Sequence, residues 1–350
     1  MHLKHNYVRR TNNCFIAQFQ VTPAGELEPE LIWHGEKDES NTVHNYYTLQ
    51  SKPPYNCDIC GPCYGIYYLS DPWWDEYSLR RLWNPALNEI KELPPMIMKP
   101  NINMNYYNEV CGFGFDPATQ DYKVVAIKGY SNSTDQFGIR IFLDYPLSIM
   151  IYSLKTDSWK YSGDLSKRFY IPYANSCHTF VNRSFYWLGS YESDPFKHDV
   201  IIAIDLATEE CQEIKLPDIS IKGEMSYGTY FERLMVYNGS IALVALYKKE
   251  RNFDIWTLKG TTWSKELTIE LDCSVWKVVG HYNVDNNLVV LVSSQKCLIL
   301  CDPNTKKTSV LKVRVKDGTC KIVSAYKESL VPLNDRDFWD QSDEHRKILV

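Results

Sequence analysis

Residues 111–127, "CGFGFDPATQDYKVVAI", place two glycines one residue apart beside alternating apolar residues, as a phosphate-binding loop does. A dinucleotide loop also needs a third glycine and a following helix, whose free N–H groups hold the phosphates. Here Gly112 and Gly114 precede Asp116 and Pro117, which open a turn, and the chain then alternates as a strand does. The sequence therefore predicts no nucleotide site. It places Gly112 and Gly114 on one strand face, where a neighbouring strand or ring comes close.

Three cysteines, Cys57, Cys60 and Cys63, have the spacing C-x-x-C-x-x-C in "CDICGPC". Thiolates at this spacing could share one zinc ion, but a structural zinc site needs four ligands, usually as two pairs. His34 or His44 could supply the fourth ligand, although neither belongs to a paired motif. The alternative, which the sequence favours, is that Cys63 is a small buried residue in a tight Gly-Pro-Cys turn. No cofactor is expected.

Aromatic residues suggest a protein-binding site instead. Trp73 and Trp74 stand side by side with Asp75 in "SDPWWDEYS", a polar segment that should link two strands. Exposed aromatic residues on a loop are candidate interface anchors. Tyr145, in the segment 128–148, is the fourth candidate for partner binding. The alternative for the tryptophans is packing, one on the core of its own sheet and one on a neighbour.

Catalytic motifs give no comparable signal. The sequence contains no Walker-type loop and no nucleophile elbow G-x-S-x-G, and its 8 histidines are scattered. No local group of side chains has the arrangement that a nucleophile, a base and an oxyanion site require. The sequence therefore predicts a protein without catalytic residues.

A repeat organises these segments. An apolar strand, a turn opened by Asn, Asp, Ser or Thr, and a second strand recur along the chain, and the opening oxygen can accept bonds from backbone N–H groups just ahead. The opening residues are Asn84, Asp116, Ser153, Asp205, Thr257 and Asp302. A second hairpin precedes this unit in the C-terminal half, turning at Asn182-Arg183, Asn238-Gly239 and Asp285-Asn286. Two hairpins in series make four antiparallel strands.

The four-stranded unit returns about every fifty residues, which is the length of a kelch-like propeller blade. The predicted fold is therefore all-β, a kelch-like β-propeller of antiparallel four-stranded blades, five to seven in number. The blades are clearest at 178–217, 232–270 and 276–313, and looser at 55–95 and 111–163. The first strands and the last one should complete one blade between them. The predicted domains are N-terminal strands at 1–54, the propeller at 55–333 and a charged tail at 334–350.

Composition limits the partners. A formal net charge of −5 and a pI near 5.9 do not favour nucleic acid, which needs a basic patch. No apolar stretch reaches the roughly 18 residues that span a bilayer, so no membrane partner is expected. The 11 cysteines, an odd and scattered set, fit reduced thiols better than a secreted disulfide framework. The sequence thus predicts a cytoplasmic protein, with the nucleus as a further compartment.

Several phrases in register resemble the F-box-associated interaction domain of plant F-box proteins, and within it the S-locus F-box group. They are "GPCYGIYYLSD", "LWNPALNEIKELPP", "GFGFDPATQDYKVVAI", "IYSLKTDSWK", "IIAIDLATEECQEIKLP", "FDIWTLKG" and "AYKESLVPL", spread over roughly 60–332. The resemblance implies a substrate-recognition subunit of a Skp–cullin–F-box ubiquitin ligase. It implies a protein target, for which an S-RNase in pollen self-incompatibility is the expectation, and no catalytic residues.

One departure from the family concerns the start of the chain. The opening "MHLKHNYVRR" is similar to the segment that follows an F-box, so the F-box itself is expected to be absent from this chain. Binding of a Skp-type adaptor and cullin is then expected only if an F-box lies upstream. Two other readings stay open, a propeller-type enzyme or sugar-binding protein and a decayed F-box paralogue without ligase function.

Overall fold

The structure is a computed structural model of the chain. It describes residues 14–20, 27–34, 44–47, 57–71, 79–96, 106–131, 147–165, 169, 171, 179–191, 200–218, 229–282, 288–314, 320–325 and 328–335. These residues form strands, turns and irregular segments, with no helix among them and hence none that could cross a membrane.

The strands are numbered in chain order. They are β1 (Cys14–Gln20), β2 (Leu27–His34), β3 (His44–Tyr47), β4 (Asp58–Cys63), β5 (Ile66–Ser70), β6 (Arg80–Asn84), β7 (Glu89–Glu92), β8 (Tyr106–Asp116), β9 (Asp121–Ser131), β10 (Ser148–Ser153), β11 (Ser158–Asp164), β12 (Thr179–Val181), β13 (Ser184–Gly189), β14 (Val200–Asp205), β15 (Cys211–Lys215), β16 (Thr229–Tyr237), β17 (Ser240–Tyr247), β18 (Asn252–Lys259), β19 (Thr262–Glu270), β20 (Val275–Tyr282), β21 (Leu288–Ser293), β22 (Cys297–Asp302), β23 (Lys307–Arg314) and β24 (Cys320–Ala325).

The described strands form five sheets. Four are antiparallel meanders of four consecutive strands: β4–β7, β8–β11, β12–β15 and β16–β19. The fifth has eight strands, because the meander β20–β23 is joined through a parallel pairing of β20 with β24 to the meander β24-β1-β2-β3. The predicted all-β propeller of four-stranded blades is therefore confirmed. The prediction that the first strands and the last one complete one blade is also confirmed, since β24 pairs with β1.

The chain divides into two compact units. Unit 1 comprises residues 1–56 and 217–328, and unit 2 comprises residues 57–216 and 329–350. The sheets β4–β7, β8–β11 and β12–β15 belong to unit 2, and the other two sheets belong to unit 1. In unit 1, one apolar core lies between the sheet β16–β19 and the meander β20–β23, and it includes Val244, Ile255 and Leu291.

The hairpin turns follow from local sequence. Asn182 and Arg183 both have positive φ, 51° and 65°, and so do Asn238 and Gly239, at 49° and 73°. Two consecutive left-handed residues make the type I′ turn, whose twist matches that of paired strands. The two turns predicted at these positions are confirmed, whereas the third, Asp285-Asn286, lies outside the described residues.

The repeated turn openers also act as predicted. The Oδ1 atom of Asp205 accepts hydrogen bonds from the backbone N–H groups of Ala207 at 2.7 Å and Thr208 at 2.9 Å. Asn84, Asp116, Ser153 and Asp302 each accept a bond of this kind from a backbone N–H two or three residues ahead. The fourth residue after each opener then has positive φ: Asn88, Gln120, Asp157, Glu209 and Lys306.

The prediction that Thr257 also opens a turn is wrong. Its hydroxyl donates to Oε1 of Glu266 at 2.6 Å, and β18 continues to Lys259 before the chain turns at Gly260, which has φ +63°. The next strand pairs across from Thr257 itself, with Ser264 as its partner. Thr257 is thus a strand residue, because glycine rather than a side-chain oxygen makes this turn.

Strand β8 lies between two cores of unit 2. Cys111 and Phe113 belong to the core shared with the sheet β4–β7, whereas Val110 belongs to the core shared with the sheet β12–β15. Successive strand residues point to opposite faces, so β8 serves both neighbours. On the second face, a Cβ built on Gly112 would lie 2.8 Å from the ring of Phe185, and one on Gly114 would lie 2.8 Å from the ring of Phe180. The predicted close approach at these glycines is confirmed.

Residues 329–335, the strap, pack on the sheet β4–β7. The side-chain amide of Asn84 donates to the carbonyl oxygens of Ser329 at 3.1 Å and Val331 at 2.9 Å. The backbone N–H of Leu333 donates to Oε2 of Glu89 at 2.6 Å. Val331 and Leu333 are buried in the core that contains Phe113 and Phe115 of β8, so the strap completes this core.

Candidate recognition surface

Each sheet of unit 2 has two different edges, because consecutive antiparallel strands connect at alternating ends. The turn edge is the end of each sheet at which tight turns join its first strand to its second and its third strand to its fourth. The loop edge carries the connections between the second and third strands. These loop-edge connections are residues 71–79, 132–147 and 190–199. Long connections that begin and end on rigid strands are where proteins place binding residues.

Ion pairs join neighbouring sheets along or near the turn edge of unit 2. Lys91 and Asp157 are 3.1 Å apart, Arg183 and Asp116 are 3.3 Å apart, and Lys160 and Glu209 are 2.8 Å apart, each pair measured between nitrogen and carboxylate oxygen. Asp116 is held further by Lys123, whose Nζ lies 3.0 Å from Oδ2. These charged side chains at the turn edge are therefore paired with one another within unit 2.

The first loop-edge connection is closed at its base by two residues. The N–H of Asp71 donates to the carbonyl oxygen of Leu79 at 3.3 Å, and the N–H of Leu79 donates to Oδ2 of Asp71 at 3.2 Å. The guanidinium of Arg81 lies 3.4 Å from Oδ1 of Asp71. Leu79 is 45% exposed, so an apolar side chain faces solvent where the connection rejoins β6.

Each of the other two connections also contains a residue that is held in place by the rest of unit 2. Leu147, at the end of the second, is buried, and its carbonyl oxygen accepts a bond from the N–H of Leu165 at 2.7 Å. Tyr191, in the third, is 45% exposed and lies against buried Phe169, with the ring centroids 5.6 Å apart. Its hydroxyl donates to Oε2 of Glu213 at 2.8 Å. Tyr191 is therefore an exposed aromatic residue held in one orientation.

A buried charge cluster lies between the first two sheets, beside the loop edge. Arg80 donates to both carboxylate oxygens of Glu109, at 2.9 Å and 2.6 Å, and the Nζ of Lys128 lies 3.2 Å from Oε2. Burial alone would raise the pKa of Glu109, but the charges of Lys128 and Arg80 outweigh it and lower that pKa to about 2. Glu109 is therefore charged at neutral pH and ties β8 to β6 and β9.

The four residues predicted to bind a partner, Trp73, Trp74, Asp75 and Tyr145, lie outside the described residues. By residue number they fall within two loop-edge connections, 71–79 and 132–147. Their role stays a prediction.

Sequence reasoning missed the charge cluster and Tyr191. One signal could have found Glu109, since it is a charged residue at the head of the otherwise apolar run "EVCGFGF". Its partners Arg80 and Lys128 lie on other strands, and no spacing along the chain indicates which strands come together.

The three cysteines of "CDICGPC" are buried and reduced. Burial raises the pKa of the thiols of Cys57 and Cys63 to about 12, so both are neutral thiols at neutral pH. The thiol of Cys60 points to the carbonyl oxygen of Cys111, 3.6 Å away. Within the described part of the chain, no group of three or more His, Cys, Asp or Glu side chains is arranged to hold a metal ion. Cys63 occupies the buried position that the alternative reading gave it.

Comparison with known proteins finds a family profile and several similar F-box proteins. Residues 38–333 match the family profile of the F-box associated beta propeller domain. The chain is 25% identical over 252 residues to F-box protein CPR1 of Arabidopsis thaliana, covering 67% of this chain and 59% of that protein. It is 26% identical over 313 residues to F-box protein At3g07870 of Arabidopsis thaliana, covering 77% of this chain and 70% of that protein.

A solved structure gives a weaker likeness. An oligogalacturonate lyase in complex with manganese is 11% identical, with a TM-score of 0.47 over 88% of this chain and 81% of that one. At this score the likeness carries no functional argument. The informative relatives are the F-box proteins.

Proposed function

We propose, because this chain belongs to the family of F-box associated beta propeller domains, that it is the target-binding part of a Skp–cullin–F-box ubiquitin ligase. The observation that carries the proposal is the match over residues 38–333 together with relatives that are F-box proteins. The chain covers 59% of the first of these relatives, so ligase activity and its partners are proposed for the whole protein rather than for these residues.

The two edges of unit 2 support a recognition role. A recognition subunit needs a support that keeps its shape while its binding segments differ from those of other members. The turn edge, where Asp116 and Glu209 pair across neighbouring sheets, provides that support. The loop edge provides the binding segments, and their bases are fixed by Asp71, Leu147 and Tyr191.

The proposed target is an S-RNase in pollen self-incompatibility. The support is the wording of the phrases "GPCYGIYYLSD" and "GFGFDPATQDYKVVAI", which resembles the S-locus F-box group. Recruitment of a Skp-type adaptor and cullin is proposed for a protein that carries an F-box. Ubiquitin transfer would then be done by those partners.

Binding to a panel of purified S-RNases tests this proposal. The full chain is immobilised and affinity is measured by surface plasmon resonance, with lysozyme as a basic protein of another fold. The double variant Trp73→Ser, Trp74→Ser should bind at least about tenfold more weakly, because tryptophan anchors dominate many interfaces. Tyr161→Ser, which removes a 39% exposed ring on the outer strand β11, is the matched control and should bind normally.

Two results would contradict the proposal in different ways. If no S-RNase binds above the lysozyme background, the target class is wrong. If an S-RNase binds the double variant as tightly as the unchanged chain, the target class stands and the loop edge is the wrong surface.

A further inference from the structure

Unit 1 has a loop edge unlike that of unit 2. In the sheet β16–β19 and the meander β20–β23, the connections between second and third strands are the short turns 248–251 and 294–296, both described throughout. Residues 270–277, where β19 ends and β20 begins, lie at the same edge. These three segments are called the unit-1 loop edge.

Backbone hydrogen bonds fasten the three segments together. The N–H of Leu271 donates to the carbonyl oxygen of Arg251 at 2.7 Å, and the N–H of Ser294 donates to the carbonyl oxygen of Ser274 at 2.9 Å. The surface is therefore preformed, which lowers the entropic cost of binding.

Trp276 projects from this surface. It is 54% exposed although it lies in β20 between buried Val275 and Val278. The register of β20 against β21 shifts between Val275 and Lys277, so Trp276 is the extra residue of a β-bulge. A bulge redirects a side chain out of the regular alternation. Tryptophan is the residue most enriched among interface anchors, and here it is set at the surface by the backbone.

Basic residues outnumber acidic ones on this surface. The unit-1 loop edge contains five basic residues against three acidic ones, whereas the whole chain has a net charge of −5. The basic residues are Lys248, Lys249, Arg251, Lys277 and Lys296, and the acidic ones are Glu250, Glu270 and Asp272. Lys249, Arg251 and Lys296 are exposed. Arg251 and Lys296 have positive φ, 53° and 63°, and are the last residues of their turns.

We propose that the unit-1 loop edge binds an acidic segment of a partner protein, with Trp276 packed against an apolar side chain of that segment. The positive charge of this surface favours a partner segment with negatively charged carboxylates. The exposed ring of Trp276 favours an apolar side chain beside those carboxylates. A nucleic acid is disfavoured as the partner, because its closely spaced phosphates need a more uniformly basic face. Here the basic residues alternate with Glu250, Glu270 and Asp272, and the whole chain has a net charge of −5. The inference rests on the recognition role proposed above and adds a second contact surface to it.

Fluorescence anisotropy with a labelled probe peptide tests the proposal on the full chain. The probe is a short peptide of Asp and Glu around one central Leu, and its matched control replaces each Asp and Glu by Asn and Gln. The acidic peptide should bind at least about tenfold more tightly than the amide peptide at low salt, and the difference should shrink as salt screens it. Trp276→Ala should weaken binding about tenfold and Lys296→Glu about fivefold.

Lys306→Glu is the matched control for Lys296→Glu. Lys306 is also exposed and also has positive φ, 57°. It lies at the opposite end of β22, in the turn that connects β22 to β23. Val310→Ala removes an apolar side chain that is 61% exposed on β23 and is the control for Trp276. Both control variants should bind the acidic peptide normally. Melting temperatures of all four variants verify that each is folded.

The outcomes separate the possible failures. Equal binding of acidic and amide peptides, or equal weakening by Lys296→Glu and Lys306→Glu, overturns the proposal. Tighter binding of single-stranded RNA than of the acidic peptide, lost in the Lys296→Glu variant, also overturns it and makes the surface a nucleic-acid site. Binding of S-RNase with no binding of the acidic peptide would leave the target-binding function standing and remove only this inference.

Discussion

The two faces of strand β8 join their neighbours in opposite ways. Toward the sheet β4–β7, β8 contributes the large side chains, with Phe113 and Phe115 in the shared core and Glu109 paired with Arg80. Toward the sheet β12–β15, β8 contributes Val110, Gly112 and Gly114, and the aromatic side chains come from the neighbour. The ring of Phe185 would lie 2.8 Å from a Cβ on Gly112.

This difference shows how one strand can hold two sheets at once. On the first face the carboxylate of Glu109 pairs with the buried guanidinium of Arg80, so the strength of this join depends on electrostatics and on burial. On the second face packing dominates around Gly112, because no side chain of β8 fills the space that Gly112 leaves for Phe185 and Trp187, and an ion pair between Asp116 and Arg183 lies only at the turn edge. Both joins fix the sheets of unit 2 that carry the loop-edge connections.

The largest expected effect comes from the charged face. Glu109→Gln removes the carboxylate that Arg80 and Lys128 contact at 2.6 Å and 3.2 Å, and both basic side chains are almost fully buried. Removing one member of a buried ion pair costs about 3–5 kcal/mol. Urea denaturation should show this loss in the free energy of unfolding. The control is Glu92→Gln, since Glu92 faces Arg81 at 3.6 Å but is 68% exposed, and it should cost under about 0.5 kcal/mol.

The same pair predicts a pH dependence. The pKa of Glu109 is lowered from 4.5 to about 2 in the folded protein. A lowered pKa means that the stability contributed by the carboxylate is fully present above pH 4.5 and is lost as the pH falls toward about 2. The unfolding free energies of the unchanged chain and of Glu109→Gln should therefore converge by about 3 kcal/mol over this range. A constant difference from pH 7 to pH 2 would contradict the electrostatic origin of this join.

The next largest effect comes from the glycine face. Gly112→Ala forces a methyl group against the buried rings of Phe185 and Trp187, 2.8 Å and 2.9 Å away. Overpacking of this kind costs about 1–3 kcal/mol, and it should not vary between pH 7 and pH 2.

A double-mutant cycle isolates the contact at Gly112. Phe185→Leu alone should destabilise by about 1–2 kcal/mol, because it empties space in the core. Combined with Gly112→Ala, it gives the new methyl group room. The double variant should therefore lose less unfolding free energy than the two single variants lose together. Strict additivity would show that the ring of Phe185 is not what excludes a side chain at position 112.

Sequence patterns predicted what depends on local spacing. The turn openers Asp116 and Asp205 and the Asn238-Gly239 turn were assigned correctly, because a side-chain oxygen or a left-handed pair specifies a turn within four residues. The alternation of β8 placed Gly112 and Gly114 on one face. Thr257 was assigned wrongly, since the same letters fit a continuing strand that turns at a later glycine.

The contacts between distant segments could not be predicted in this way. Glu109 meets Arg80, which is 29 residues earlier, and Asn84 meets Val331, which is 247 residues later. Only the packed sheets bring such pairs together. The exposed bulge at Trp276 has no signal in the sequence either, because a bulge is a shift of register between two strands. Interface residues on the loop-edge connections remain predictions for the same reason.

A smaller effect, about 2 kcal/mol, is expected from the strap, which completes the core on the first face of β8. Asn84→Asp keeps the oxygen that opens its turn but replaces the amide that donates to Ser329 and Val331 by a carboxylate oxygen facing their carbonyls. Hydrogen exchange of the strap amides should accelerate. The control is the reverse change, Asp205→Asn, which keeps its turn acceptor and should cost under about 0.5 kcal/mol. Equal exchange rates in the strap would mean that its apolar contacts suffice.

The smallest effect is expected where the second face reaches the turn edge. Arg183 lies 3.3 Å from Asp116 but its side chain is 36% exposed, and Asp116 keeps Lys123 at 3.0 Å after Arg183→Gln. The variant should therefore lose under about 0.5 kcal/mol at low salt. At about 1 M salt, where screening acts within about 3 Å, this loss should vanish, whereas the loss from Glu109→Gln should remain because its partners are buried. If salt removed both losses equally, the charged join of β8 would be a surface effect, and the contrast between its two faces would reduce to packing alone.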